Sequence, residues 1–300
     1  MPNKKRQRQK KAAPPPRSSP PSTRAANAPW WRRESILAHW PRSLAAAAVG
    51  FLLLLFLFFF VFRQPAAAEG DIWTEFSGEN ALGHVQDLVD FGPRPAQSDA
   101  IKKTRDYLRR SLESNGWQVQ EQNFTQPTPR GPVTFVNLIA RRPNASSRVF
   151  LVGSHYDTKT FDDLRFVGAN DGGSSTGALL EMARVLNQHP DLASRVELVF
   201  FDGEEAYEHF TRTDGLYGSR YFAQLLLDAG KVRDYCGGIV WDMMGDRNLT
   251  ITLPPDSPPE LARGIFAAAD ALQVRDHFTY LNDDMIDDHS PLNEAGIPTI

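Results

Sequence analysis

Apolar residues repeat along this chain with two different periods, and their alternation sets out an order of elements. Leu82, Val85, Leu88 and Val89 recur at the spacing of one helix face. Phe91-Gly92-Pro93-Arg94-Pro95 then supplies residues that cannot continue a helix. Ser98 is placed to cap a second helix running to Ser114, closed by Asn115-Gly116. Strand-like runs follow near 117–124 and 133–140, and the short apolar runs 149–152 and 196–201 read as buried central strands. Leu179, Leu180, Ala183 and Leu186 place a helix over 174–187 between those two. Further helices are predicted over 216–227 and 259–272, with a strand at Ile239-Val240-Trp241. Alternation of this kind predicts an α/β domain with a largely parallel, helix-covered sheet, whose chemistry gathers at the carboxyl ends of the strands.

Before residue 77 the pattern is different. Residues 1–43 carry eleven Lys or Arg against one acid, Glu34, so the formal net charge of -3 hides a basic start and an acidic remainder. Residues 1–29, rich in Lys, Arg, Pro, Ser and Ala, have too little apolar surface to offset the entropy of ordering and read as disordered. Residues 44–62 then run without a charge, long enough for one transmembrane helix, with Trp30, Trp31 and Trp40 on the basic side. Positive charge before the span predicts a cytoplasmic N-terminus and an extracytoplasmic location, periplasmic, extracellular or lumenal, for everything after Arg63. Ala66-Ala67-Ala68 resembles a cleavage site, which makes a removed signal peptide the competing expectation; the long apolar run and long basic region favour a retained signal anchor. A basic tail directly before such a run speaks of topology, not of nucleic acid. The expected division is a basic tail over 1–43, the span over 44–62, a linker over 63–76 and one catalytic domain over 77–300. With 41% hydrophobic residues that domain can bury a sizeable core, and Cys236, the single cysteine, excludes an intrachain disulfide.

Polar and acidic residues follow every buried strand. After Leu151-Val152 comes Gly153-Ser154-His155-Tyr156-Asp157, after the 196–201 run comes Asp202-Gly203-Glu204-Glu205, and after Ile239-Val240 comes Trp241-Asp242. Gly168-Ala169-Asn170-Asp171-Gly172-Gly173 opens the intervening helix. Each alone is explicable as a turn or a cap. Together at one edge of a sheet they would repel one another, and a bound divalent cation removes that objection. Carboxylates with one His form a zinc set that leaves a position open for water or substrate. Consecutive side chains at a strand end diverge, so of Glu204 and Glu205 one would bind metal while the other handles protons.

His155-Tyr156-Asp157, Gly168-Ala169-Asn170-Asp171, Phe200-Phe201-Asp202-Gly203-Glu204-Glu205 and Leu216-Tyr217-Gly218-Ser219-Arg220 resemble, in order, the motif series of M28 zinc exopeptidases. Asp202-Gly203-Glu204-Glu205-Ala206 with His209 and Phe210, the insert between Glu205 and Leu216, and Ile286-Asp287-Asp288-His289 are similar to the glutaminyl cyclase branch. The resemblance implies a zinc-exopeptidase-like three-layer α/β/α sandwich with a mixed, mostly parallel central sheet. It also implies a zinc-dependent glutaminyl-peptide cyclotransferase that converts the N-terminal Gln of peptides or proteins to pyroglutamate with release of ammonia. Asp171 and Glu205 would be zinc ligands and Glu204 the general acid and base. Asp242 and Asp287 would form the hydrogen-bonded network around Glu204, with Asp288 a weaker candidate. Phe210 and Trp241 would line the substrate site. Phe210 stands where the animal cyclases carry Trp, so the aromatic wall is kept, its N–H is lost, and a different substrate preference is expected.

The family's third zinc ligand is a His shortly beyond the strand that begins at Ile297-Pro298-Thr299-Ile300, so the domain is expected to stop short of it, with His289 behind the acidic cluster. Two other readings compete. In a di-zinc aminopeptidase of the same superfamily, Asp171 would bridge two ions, His155 and Asp242 would complete the second site, and Glu204 would activate a water. A non-catalytic ectodomain on the same fold is the other, and retention of Asp171, Glu204 and Glu205 argues against it.

Overall fold

In the computed structural model, which describes residues 72–300, the chain enters through a 3-10 turn at Ile72–Glu75 and then the first capped helix. Helix α1, Gly78–Phe91, starts where the Ser77 hydroxyl accepts a bond from the Asn80 N–H at 3.1 Å, and it stops at Gly92, whose φ of 91° ends the helical path. Helix α2, Asp99–Ser114, is capped by Ser98, whose hydroxyl accepts from the Ile101 N–H. It buries Ile101, Thr104, Leu108 and Leu112, three or four residues apart. Strands β1, Gln118–Thr128, and β2, Gly131–Arg141, form an antiparallel hairpin that closes at Thr128 opposite Gly131. Both run further than the apolar pattern predicts, because the hairpin ladder carries them past its last apolar residues.

Strand β3, Val149–His155, helix α3, Gly173–Asn187, the short helix α4, Pro190–Ala193, and strand β4, Val196–Phe201, follow. Every residue of β3 and β4 is buried, as continuous apolar runs require. Helix α3 is buried on nearly every side, and at Gly177 a Cβ would stand 2.6 Å from the Ala81 carbonyl of α1, so glycine lets the two helices cross closely. Beyond them lie α5, Tyr217–Asp228, β5, Tyr235–Val240, β6, Ile251–Leu253, α6, Pro259–Ala271, β7, Phe278–Tyr280, and α7, His289–Glu294.

The main sheet has the order β1-β2-β4-β3-β5. Strands β3, β4 and β5 are parallel, while β1 with β2 and β2 with β4 pair antiparallel. The sheet is therefore mixed, as expected, with parallel strands on one side and an antiparallel hairpin on the other. Only residues 142–148 connect β2 to β3, and a link that short cannot carry the crossover a parallel return needs. Residues 298–300 pair with the free edge of β5, Gly238 facing Thr299 in parallel. Strands β6 and β7 form a separate two-stranded sheet.

Side chains alternate across the central strands. Phe150, Val152, Leu198 and Phe200 enter one core with α2, α3 and α6, while Val149, Leu151, Val199 and Phe201 enter a second with Phe222 of α5 and Leu292 of α7. Helices thus cover both faces, and the parallel strands all deliver their carboxyl ends to one edge. The basic tail and the apolar run 44–62 lie outside the described residues. Among the described residues no helix is long and apolar enough to cross a membrane.

Candidate active site

His155 ends β3 with 1% of its surface exposed, and three other segments converge on it. Its Nε2 lies 3.2 Å from Asp171 Oδ1 and 3.2 Å from Asp242 Oδ1. Its Nδ1 lies 3.4 Å from Asp157 Oδ1 and 4.0 Å from Glu204 Oε2 but has no hydrogen-bond partner. Asp171 comes from the loop before α3 and Asp242 from the residues just after β5. The loop approaches so closely that a Cβ at Gly172, φ 70°, would stand 2.8 Å from the Asp157 carbonyl and 2.9 Å from His155 Cε1. Glycine is required there by space and by conformation.

The second cluster lies beside the first. After β4 the chain turns at Gly203, φ 75°, where a Cβ would strike the Phe135 ring. The N–H groups of Glu204 and Glu205 then donate to the two oxygens of Asp157 at 3.1 and 3.4 Å. Glu204 is buried. Glu205 accepts from the Lys159 N–H at 3.2 Å and faces the Lys159 ammonium at 3.3 Å. Asp287 is half-buried and its Oδ1 accepts from the Asp288 N–H, whereas Asp288 is fully buried and accepts from the Ser219 hydroxyl.

The electrostatics of the two clusters follow from burial. Burial alone would strip the His155 proton, but Asp242, Asp157 and Asp171 together outweigh it and hold the imidazole well above its ordinary range. Burial pushes Glu204 far above the carboxylate range; His155 opposes the shift, while Asp287, Glu205 and Asp288 add to it. Glu205 is pushed up to about 8 by burial and Asp171, against His155 and Lys159. Asp287 is raised by burial and Asp242, and Asp288 by burial and Asp287.

His155, Asp171 and Asp242 each offer one ligand atom, all within 4.8 Å of one another. One imidazole nitrogen among carboxylates is a donor set that fits a divalent cation, and Asp171 and Asp242, both 3.2 Å from the same Nε2, crowd negative charge that such an ion would offset. Of the residues predicted from sequence, the structure gathers Asp171 with the His155 and Asp242 pair, and it holds Glu205 one step away against Lys159.

Phe210 is 40% exposed on the insert after Glu205, its ring over the Lys159 ammonium at 5.5 Å and packed against Gly215. Trp241 points into the core instead, 3% exposed, with its indole N–H unpartnered. Asp202 of the Asp-Gly-Glu-Glu run also turns away from the cluster, accepting from the Val136 N–H and facing Arg105.

Three residues at the site escape the sequence reading. Asp157 shapes the Glu204 turn, Lys159 holds Glu205, and buried Asp214 folds the insert by accepting from the N–H groups of Tyr207, Glu208 and His209 and from the Tyr217 hydroxyl. Asp157 closes the His155-Tyr156-Asp157 motif and Lys159 follows two residues later, which is the one signal that points to them.

The chain matches Peptidase family M28 over residues 137–300. It is similar to the glutaminyl-peptide cyclotransferase-like protein of Bos taurus, 37% identical over 134 residues that make up 41% of this chain and 35% of that one. It is also similar to the glutaminyl-peptide cyclotransferase of Dictyostelium discoideum, 31% identical over 177 residues, 52% of this chain and 49% of the relative. The chain spans about half or less of the length of these curated relatives. Among solved structures, a glutaminyl cyclase from an Acidobacteriales bacterium superposes with a TM-score of 0.72 at 30% identity, over 79% of this chain and 82% of that one.

Proposed function

This chain belongs to peptidase family M28, and we propose that within it the chain acts as a zinc-dependent glutaminyl-peptide cyclotransferase, closing the N-terminal Gln of a peptide into pyroglutamate. The observation that carries the reading is Glu204, a buried carboxyl 4.0 Å from His155 Nδ1 and under the repulsion of Asp287, Glu205 and Asp288, at the edge where the parallel strands end. Such a group holds a proton more readily than an exposed carboxyl does, which suits it to take one up and pass it on.

The reaction forms a bond from the substrate α-amine to its own side-chain amide carbon and breaks the bond from that carbon to nitrogen. Glu204 takes the proton the amine sheds and returns it to the departing nitrogen, which leaves as ammonia. Asp287 favours uptake of the proton by repelling the ionised form of Glu204. The Phe210 ring forms one wall at the mouth, held by Lys159 and Gly215. In place of the expected pair Asp171 and Glu205, the gathered residues His155, Asp171 and Asp242 would hold the zinc ion, with Asp242 moved from the expected network into the ligand set and Glu205 available where Lys159 yields it. Bound there, zinc supplies polarisation of the amide carbonyl.

A second reading has its own observation. The gathered trio includes both residues that a second metal in an aminopeptidase of this family would need. Metal content together with ammonia release from Gln-initiated peptides, set against hydrolysis of aminoacyl amides, separates the two. About one zinc per chain with pyroglutamate formed supports the cyclase; two metals with a free amino acid released replaces it by the peptidase.

We further infer that residues 44–62 anchor the domain outside the cytoplasm, on the strength of their uncharged length and the basic residues before them. Carbonate extraction with protease protection tests this. Release of the full-length chain from membranes, or protection of its domain inside sealed cytoplasmic compartments, sinks it.

A further inference from the structure

Arg94 is fully buried, yet among the described residues its guanidinium makes no hydrogen bond to a carboxylate. It donates instead to five main-chain carbonyls: Leu88 and Gly92 at the end of α1, Tyr156 just after β3, and Val167 and Gly168 in the loop before Asp171. Its own backbone is tied in both directions to Thr158, the Arg94 N–H donating to the Thr158 hydroxyl at 2.8 Å and the Thr158 N–H to the Arg94 carbonyl at 3.2 Å. A side chain with only carbonyl partners fixes backbone. Two of the three segments it fixes deliver His155, one residue before Tyr156, and Asp171, three residues after Gly168.

The shape of the group matters. Five N–H donors in one plane can reach carbonyls on three sides, whereas an ammonium has three donors on a flexible stem. The loop also leaves little slack, because a Cβ at Gly168, φ 52°, would lie 3.2 Å from the guanidinium and 2.6 Å from the Asp171 carbonyl. Backbone, arginine and ligand loop are thus packed as one unit.

We propose that Arg94 is a positioning residue whose buried strap, closed by Thr158, sets the separation of His155 from Asp171 and with it the affinity of the site for a divalent cation. The inference rests on the reading of His155, Asp171 and Asp242 as a metal site. It gives a role to a buried charge that takes no part in the proton transfers.

The test is zinc affinity by competition with a chromophoric chelator on the full chain, for wild type, Arg94→Lys and Thr158→Val, with near-ultraviolet circular dichroism as the check on folding. Arg94→Lys is expected to weaken zinc binding about 10- to 100-fold, as loss of groups that orient metal ligands does. It should also shrink the rise in Tm that zinc produces. Thr158→Val, close in shape and keeping the guanidinium, should move both in the same direction by less. A purely structural arginine would lower Tm equally with and without zinc and leave affinity unchanged, and that result overturns the proposal. If Arg94→Lys does not fold, Thr158→Val decides, wild-type affinity counting against the strap and weakened affinity for it. Wild type that binds no zinc removes the metal reading and the strap with it, an outcome distinct from wild type that binds zinc beside variants that bind it equally.

Discussion

His155, Asp171 and Asp242 stand around one point with an imidazole among them, whereas Glu204, Glu205, Asp287 and Asp288 repel one another beside it, with Lys159 paired to Glu205. The first group gathers opposite charge and the second gathers protons. In the trio the carboxylates raise the histidine; in the second group, burial and mutual repulsion raise the carboxyls themselves. One set of residue types at one sheet edge therefore yields a place for a cation and a place for a mobile proton, and what separates them is that His155 stands between Asp171 and Asp242.

Breaking the proton side alone should give the largest effect. Glu204→Gln keeps the shape and removes the ionisable group, so turnover of Gln-initiated peptides is expected to fall about 10²- to 10⁴-fold. Zinc content, measured by elemental analysis of the same preparation, should stay at the wild-type level. Loss of metal in that variant would merge the two groups into one.

Breaking the cation side comes next. Asp171→Asn leaves His155 and Asp242 in place but removes one anionic donor, and chelator competition should register weaker zinc binding by about 10-fold or more. Glu204, with less negative charge beyond His155, should still support slow turnover at saturating zinc.

Acidity sharpens the comparison without mutation. Asp202, raised by burial and then Asp157, and Glu205, raised by burial and then Asp171, both sit at about 8 in the folded chain. Between the ordinary range near ~4 and that value the folded state binds more protons than the unfolded one, so stability falls as pH rises. Tm of the chelator-treated protein is expected to drop from about pH 5 to about pH 8, and added zinc should flatten the slope. A Tm that climbs across that window would show these carboxyls to be ionised throughout.

The smallest effect concerns the rim. Asp214→Ala orphans three N–H groups of the insert, which should cost about 1–3 kcal/mol in chemical denaturation. KM should rise severalfold with kcat little changed, since the Phe210 wall loosens while Glu204 stays in place. An equal loss in kcat would place Asp214 nearer the chemistry than its bonds suggest.

Much of this was legible in the sequence because it was local. Ser98 capping α2, Gly92 ending α1 and the run 196–201 as a buried strand depend on neighbours in the chain, and each element lies where the spacing predicts. Convergence of His155, Asp171 and Asp242 followed from one rule about strand ends. What was not legible depends on distant partners. Trp241, beside Asp242 in sequence, faces the core because strand alternation turns successive side chains to opposite sides. Asp202, first in the acidic run, points back under the sheet for the same reason. His84, His189 and His277 have no partner readable from sequence, yet they meet the Tyr107 hydroxyl, Glu75 and the Leu249 carbonyl. The roles of Lys159 and Arg94 were not legible, the nearness of Lys159 to the His155 motif aside, because their meaning lies in carbonyls and carboxylates dozens of positions away.

The hairpin of β1 and β2 has a bearing on how molecules of this protein meet one another. Among the described residues strand β1 is the outermost of the main sheet, and one side of it is a ladder of amide groups that no neighbouring strand there takes up. Such a border is a template on which a second chain can add itself. Here it is dressed with Gln118, Gln120, Glu121, Asn123 and Thr125, mostly exposed, and it carries Pro127, which has no N–H to offer. A sheet this rich in buried apolar strands is thereby kept from stacking edge to edge, and replacing Glu121 and Pro127 with β-branched apolar residues would turn the same hairpin into a nucleus for aggregation.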